Sequence, residues 1–323
     1  MHAAAGPGRW HPSGHRPILC PMDAPIPLFD TGLARRRLAR ARTVGYADFL
    51  LARAVEDLED RLGAVLRRFA DALDLATPTP AAALSLAAGG RSGSVLRLSP
   101  VPEAPDGLAR AVGDPEALPF APGSFDLAVS LLALQHVNDL PGTLVQLRRA
   151  LRPDGLFVGC LLGGRSLTEL RQAFAAAESE VEDGISPRVA PFAEVRDLGG
   201  LMQRAGFALP VTDTETLTVR YADPFALMRD LRAMGLTNVL TERRRTPLRR
   251  ATLVRAAEIY ADRFADPDGR LRASFEILWV SGWAPHESQQ KPLKPGSARA
   301  RLADALNTRE IDPDSIPAER SPR

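Results

Sequence analysis

Cysteine is scarce in this 323-residue chain, with only Cys20 and Cys160. They form no CxxC pair and no metal-type spacing, so no metal site is expected, and a reducing compartment fits them. Lysine is nearly absent, at 291 and 294 only, and almost every basic residue is arginine. With so much alanine, this reads as a coding bias. Long apolar runs are missing too: none approaches the roughly 20 residues that span a bilayer, so no membrane span is expected. Residues 1–21 lack acids and have no apolar h-region, so no secretory signal is expected there. They read as a weak organellar transit segment or as a start placed upstream of Met22. The second is favoured, because organised sequence begins only at Ile26. There is no G-x-x-x-x-G-K phosphate loop. The GRSGS run at 90–94 lacks the last glycine of a hydrolase elbow and has no Asp/His order behind it.

What remains is the composition of a globular protein, 45% hydrophobic and 25% charged. A net charge of +2 and a pI of about 8.8 are too mild to imply nucleic acid. One basic cluster, ARRRLARAR at 34–42, suits either a solvated helix face or a phosphate or acidic partner.

Leu50, Val55, Leu58, Leu62, Val65, Leu66, Phe69 and Leu73 recur at three- and four-residue steps, predicting a helix over 48–75 with Asp48 as N-cap. A TPTP linker at 77–80 ends this layer. Strand candidates then alternate with helices: ALSL 83–86, VLRL 95–98, SFDLAVSLLAL 124–134, a helix over 141–151, the RPDG turn, LFVGCLL 156–162, and a helix over 166–180 with Ser166 and Glu169 as capping box. The rhythm predicts a parallel sheet covered by helices. Beyond it lie a helix over 189–207, LTVRY 217–221, helices over 223–235 and 246–266, and the long strand 270–283. This pattern suggests an antiparallel pair carrying a helical insertion. The expected organisation is a disordered or mis-called start (1–25), an N-terminal helical layer (26–76), an α/β domain (81–283), a C-terminal arm (284–306) and a disordered tail (307–323).

The most informative stretch is GDPEALPFAPGSFDLAVS, 113–130: a loop, a PG turn and a central strand. A carboxylate at a strand end beside a Gly-rich loop can accept hydrogen bonds from a base or a ribose. Asp114 and Glu116 are therefore candidates, against the alternative that they are plain loop carboxylates. With ALSLAAGG, ALRPDGLFVG and RLRASFEILWVSGW, this run resembles the class I S-adenosylmethionine-dependent methyltransferases. LLALQHVNDLPGTL (131–144), ISPRVAPFAEVRDLGGLMQRAGFALPVTD (185–213), DLRAMGLTNVL (230–240) and GWAPHESQQKPLKPGSA (282–298) narrow the resemblance. They are similar to the family of mitochondrial complex I assembly factor 5 and its bacterial relatives, cousins of the biotin-pathway malonyl-carrier-protein methyltransferase. The resemblance runs from Phe29 to about Leu306. It implies a three-layer α/β/α Rossmann-like fold and a cofactor, S-adenosylmethionine. Its mitochondrial member is understood as an arginine hydroxylase acting on a complex I subunit.

Such proteins carry an acid and a G-x-G-x-G-like turn after their first strand. With ALSL as that strand, the acid has become Ser85, the first glycine Ala87, and only Gly89 and Gly90 remain. Four residues, RSGS, then separate Gly90 from the next strand, too few for a parallel crossover, so the first crossover is expected to be truncated. The next strand offers Arg97 and Ser99 where a ribose-gripping carboxylate belongs, with Glu103 the nearest acid, and Pro115 lacks the N–H that follows Asp114 in relatives. Losing about 1 kcal/mol per contact would weaken binding a hundredfold or more. The expected cofactor residues are Ala87, Gly89, Gly90, Asp114, Glu116 and Leu134.

The turn after the central strand supplies Gln135, His136, Asn138 and Asp139 as substrate candidates. Asn138 and Asp139 serve equally as caps of the next helix. His136 stands where the family usually has Trp, and suits a strand-end histidine better than a ligand. The HESQQKPLKPGS tail suits a lid, a partner-binding arm or a brace. Two functions follow: an enzyme modifying a protein side chain or a carrier-bound acid, or a cofactor-free scaffold assisting respiratory complex I assembly. Either places the chain in a bacterial cytoplasm or a mitochondrial matrix, with a complex I subunit as the expected partner.

Overall fold

The computed structural model describes residues 27–182, 184–289 and Thr308. The expectations for the first 25 residues and for the helical patch at 298–306 lie outside the described residues, as does that for the tail from 307 apart from Thr308. The chain divides after Ala284. Of the second unit, 285–289 closes a turn in which His286 Nδ1 and Ser288 Oγ lie 2.7 Å apart.

Helix α1 (Thr31–Val44) is capped by Asp30, whose side chain accepts from the Leu33 N–H. Helix α2 (Phe49–Gly63) buries Leu50, Leu51, Ala54, Leu58 and Leu62 on one stripe. Asp48 stands at its N-cap position without a side-chain cap bond. The helix stops twelve residues before 75. Leu66 is fully exposed, and Phe69–Leu75 is strand β1, not the end of a helix.

ALSL, expected as a strand, lies inside helix α3 (Ala81–Ala88). It connects β1 to β2 (Ser92–Ser99), so the crossover is complete, although its helix has only eight residues. Strands β3 (Ala109–Val112) and β4 (Phe125–Leu131) follow, and every residue of β4 is buried. A 3-10 turn (Leu134–His136), α4 (Leu140–Ala150) and β5 (Leu151–Leu162) come next. In the RPDG segment Asp154 takes φ 63°. A Cβ on Gly155 would meet the Arg152 carbonyl at 2.8 Å, so glycine is required there.

Helix α5 spans Thr168–Val181. Its expected capping box does not form: the Ser166 hydroxyl donates to the Glu276 carbonyl, and Glu169 accepts from the Ser274 hydroxyl. Helix α6 is shorter than expected, Val195–Arg204, and ends before Gly206 at φ 85°. Strand β6 (Ala208–Tyr221), α7 (Pro224–Ala233), α8 (Arg250–Phe264) and β7 (Leu271–Trp283) complete the fold. The last two strands pair antiparallel from Ala208↔Trp283 to Tyr221↔Leu271, with two helices inserted between them as expected.

The sheet order is β3-β2-β1-β4-β5-β7-β6. All pairs are parallel except those of β7. Two buried clusters lie against it, one including Leu127, Phe275 and Trp279, the other Leu73, Phe157 and Leu278. Chain direction diverges between β1 and β4, and in such sheets ligands bind beyond the carboxyl ends at that point.

Candidate functional site at the carboxyl ends of β1 and β4

The turn leaving β1 is Ala76–Pro80, sequence ATPTP. Asp74 is the acid at the end of the first strand, and this turn stands where the glycine-rich one was expected. Ala76 holds φ 57°, a left-handed conformation that glycine adopts freely and alanine at a cost of about 1–2 kcal/mol. The turn thus keeps a glycine-like bend with no glycine in it.

The space in front of the turn is filled by arginine. Arg97, on β2, and Asp74 have fully buried side chains in direct contact. The Arg97 guanidinium also donates to the Thr77 carbonyl at 2.6 Å, and to both Glu103 oxygens at 2.7 Å. Thr77 Oγ1 donates to Asp74 at 2.5 Å and accepts from the Leu131 N–H at 3.2 Å. A second cation, Arg42 of α1, donates to the Pro78 carbonyl at 2.5 Å and pairs with Glu103 at 2.7 Å. Two guanidiniums thus face two carboxylates, and Arg110, itself paired with Asp106, lies 4.0 Å from Glu103. Burial lowers Arg42 to about 10, against Glu103. Burial raises Asp74, opposed by Arg97 and Thr77. Glu103 is held below its ordinary range: burial would raise it, but Arg97 and Arg42 outweigh that.

Next to this network is a cavity of about 100 Å³, lined by Arg35, Asp114, Glu116, Gln135, His136 and Leu236 among others. Helix α1 covers it: Arg35 pairs with Asp114 at 2.5 Å. The 34–42 cluster is therefore no simple solvated face, since Arg35, Arg37 and Arg42 turn to Asp114, the Asn238 carbonyl and Glu103.

Of the residues expected to hold the cofactor, Asp114 and Glu116 line this cavity. Leu134 is buried in the core, 2% exposed. Ala87, Gly89 and Gly90 are at the wrong end. They finish α3 and lead into the amino end of β2, where the Arg91 carbonyl accepts from the Phe69 N–H, a strand's length from the crevice. Pro115 lines the cavity, with no N–H to offer.

Of the substrate candidates, Gln135 and His136 reach the cavity. Gln135 Nε2 donates to the Leu132 carbonyl at 2.7 Å, but its Oε1 is buried without a partner among the described residues. His136 packs edge-on to Phe29 at 5.3 Å; burial and the nearby Arg37 lower it to about 4, so it is neutral near pH 7. Asn138 instead grips Phe29, accepting from its N–H at 2.8 Å and donating to its carbonyl at 3.1 Å. Asp139 caps α4 through the Gly142 N–H at 2.8 Å. Glu116 accepts from the N–H groups of Asn138 and Asp139, both at 3.1 Å. Among the described residues no cluster of His, Cys, Asp and Glu is arranged to hold a metal, and no helix is long and apolar enough to cross a membrane. Asp74, Thr77, Arg42 and the pairing of Arg97 were missed in the sequence. The signal was there: an arginine inside an apolar strand demands a buried partner.

A methyltransferase domain model matches residues 90–159. The chain is 41% identical over 203 residues to the mitochondrial arginine-hydroxylase NDUFAF5 of Danio rerio, covering 63% of each chain. It is 42% identical over 193 residues to the human protein of that name, covering 60% of this chain and 56% of the relative. The chain thus spans less than two thirds of these relatives. It is 36% identical over 212 residues to the malonyl-[acyl-carrier protein] O-methyltransferase of Laribacter hongkongensis, covering 63% of this chain and 69% of that one. The Bacillus subtilis YcgJ protein superposes with a TM-score of 0.50 at 13% identity, over 73% of this chain and 99% of that one. A Bacillus halodurans structure assigned to the methyltransferases does so at 0.50 and 14%, over 72% and 99%. Both likenesses speak to the fold alone.

A methyltransferase domain is built around S-adenosylmethionine, and the crevice at β1 and β4 is its place in this fold. The residues here do not fit the cofactor's amino-acid end. The turn has two prolines and no glycine, two of its carbonyls are taken by guanidiniums, and Asp74 already faces a cation of the chain's own. The adjoining cavity falls short of the roughly 300–1,000 Å³ of ordinary ligand sites. In sheet order and sequence alike, the chain belongs to the class I methyltransferase superfamily, in the family of the malonyl-carrier-protein O-methyltransferases, and it is similar to NDUFAF5 over part of that protein's length.

Proposed function

We propose that this chain is an NDUFAF5-type accessory protein that assists respiratory complex I assembly on a methyltransferase frame, without using a methyl donor. The observation that carries the reading is the guanidinium of Arg97, held by Asp74, Thr77 and Glu103 where the donor's amino-acid end would lie. A cationic ligand entering there meets a cation already paired, and no glycine backbone to lie against. Displacing Arg97 would leave a charge buried without a partner, which costs several kcal/mol. The family resemblance supplies the partner, a complex I subunit, and a bacterial cytoplasm or mitochondrial matrix as the place.

A second reading has one observation in its favour. Gln135 and Asp114 line the same cavity, and the buried Gln135 Oε1 has no donor among the described residues. A ligand with an N–H group would satisfy it. In that reading the chain modifies a protein side chain or a carrier-bound acid, with Asp114, Glu116, Gln135 and His136 around the ligand.

Calorimetric titration with S-adenosylmethionine and S-adenosylhomocysteine separates the two. The accessory reading expects no heat and no thermal shift at millimolar ligand. It also expects the Asp114→Ala variant to restore complex I assembly in a deletion strain as well as the parent does. Micromolar binding that Asp114→Ala abolishes would replace it with the enzyme reading.

A further inference from the structure

A second chamber lies beside the crevice, with His136 and Leu236 lining both. Its volume is about 230 Å³. Leu170 and Phe174 of α5, Ala190, Leu231 of α7 and Val239 wall it, all at most 7% exposed. An apolar cavity of about 150 Å³ is already enough to hold benzene, so this one accommodates a larger apolar body.

The rim is basic and unevenly neutralised. Arg188 is taken: its Nε donates to the buried Glu178 at 2.8 Å. Arg37 is fixed on the Asn238 carbonyl. Arg243 pairs with Asp30 at 3.2 Å. Arg232, exposed at the lining, has a guanidinium with no hydrogen bond and no ion pair among the described residues. Burial lowers Arg37 most; Arg243, Arg232 and Arg36 lower it further, while Asp30 opposes them, so three neighbouring cations face one carboxylate here. Neutral His136 supplies no opposing charge.

We propose that this chamber binds a medium-chain carboxylate, its apolar chain between α5 and α7 and its anionic end on Arg232. An apolar interior with one unpaired guanidinium at its edge selects a ligand that is apolar along its length and anionic at one end. The site is separate from the Arg97 network and stands whether or not a methyl donor binds.

The test is calorimetric titration of the full chain with octanoate and with octanol. Octanoate binds, and octanol, equal in length but uncharged, binds about tenfold more weakly. Arg232→Gln, at an exposed position, brings octanoate down to the level of octanol. Ala190→Trp, which fills the chamber, abolishes both; if that variant fails to fold, Met228→Trp on the partly buried wall gives the same reading. No heat with octanoate up to about 10 mM overturns the proposal. So does undiminished octanoate binding by Arg232→Gln or by a folded chamber-filling variant.

Discussion

The Arg97 guanidinium lies directly against the Asp74 carboxylate, and neither side chain is reached by solvent. The two sit on neighbouring strands, with Asp74 and Arg97 as register partners in the β1–β2 pairing. Removing one member of a buried pair is far costlier than never having had it, because the survivor keeps its charge and loses its partner. Arg97→Ala is expected to destabilise the protein by about 3–5 kcal/mol. An Asp74→Leu, Arg97→Met double variant should recover much of that loss. Urea unfolding of the three proteins measures the recovery; a double variant no more stable than Arg97→Ala would contradict it.

Asn138 joins the segment before α1 to the turn after β4 through both hydrogen bonds of the Phe29 peptide. Asn138→Ala removes both at once, an expected loss of about 1–3 kcal/mol. Amide exchange should quicken at Phe29 and its neighbours while the amides of β4 stay protected. Unchanged exchange at Phe29 would mean that the segment is held by its other contacts.

His136 titrates near 4 in the folded chain and near 6.5 when unfolded. The unfolded chain therefore binds the extra proton between these values, and stability falls as pH drops through that window. From pH 7 to pH 5 the His136 contribution is about 2 kcal/mol of lost stability. Denaturant midpoints at the two pH values, repeated on His136→Gln, measure it: the variant should lose less on acidification than the parent. An equal loss would show that His136 is not the group responsible.

Asp139 caps α4 through the Gly142 N–H. Asp139→Ala should cost about 1 kcal/mol, and Asp139→Asn much less, since the amide oxygen can still accept. A binding role for its charge would instead make both variants lose ligand affinity alike.

Much of the sheet was legible from residue 125 onward, where the order of strand and helix follows from pattern alone. The runs 125–131, 156–162 and 271–283 are apolar through most of their length, as strands covered on both faces must be. The first strand was not legible, for a specific reason. Leu62, Val65, Leu66, Phe69 and Leu73 continue the spacing of α2 across its end, so periodicity carries the helix into β1. ALSL has the composition of a buried strand but belongs to a crossover helix packed on the sheet. That displacement moved the expected cofactor turn to Gly89 and Gly90, one strand-length from the crevice. The strong strand at 125–131 located the turn that carries Gln135 and His136, whereas Asp114 and Glu116, which precede it, were expected from the loop and from the family pattern. The Arg97 network was not legible, because its four charged members come from α1, β1, β2 and the loop after β2, and proximity among them exists only once the sheet has formed.

A protein that rests on a bound small molecule is as firm as that molecule's supply allows, since its stability rises with the logarithm of free ligand. Here the cation facing Asp74 is part of the chain. It is present at a fixed stoichiometry, arrives with folding, and cannot diffuse away. On the proposed accessory reading, the order of this corner of the fold does not depend on the cell's pool of free nucleosides, and should be the same in a starved cell as in a replete one.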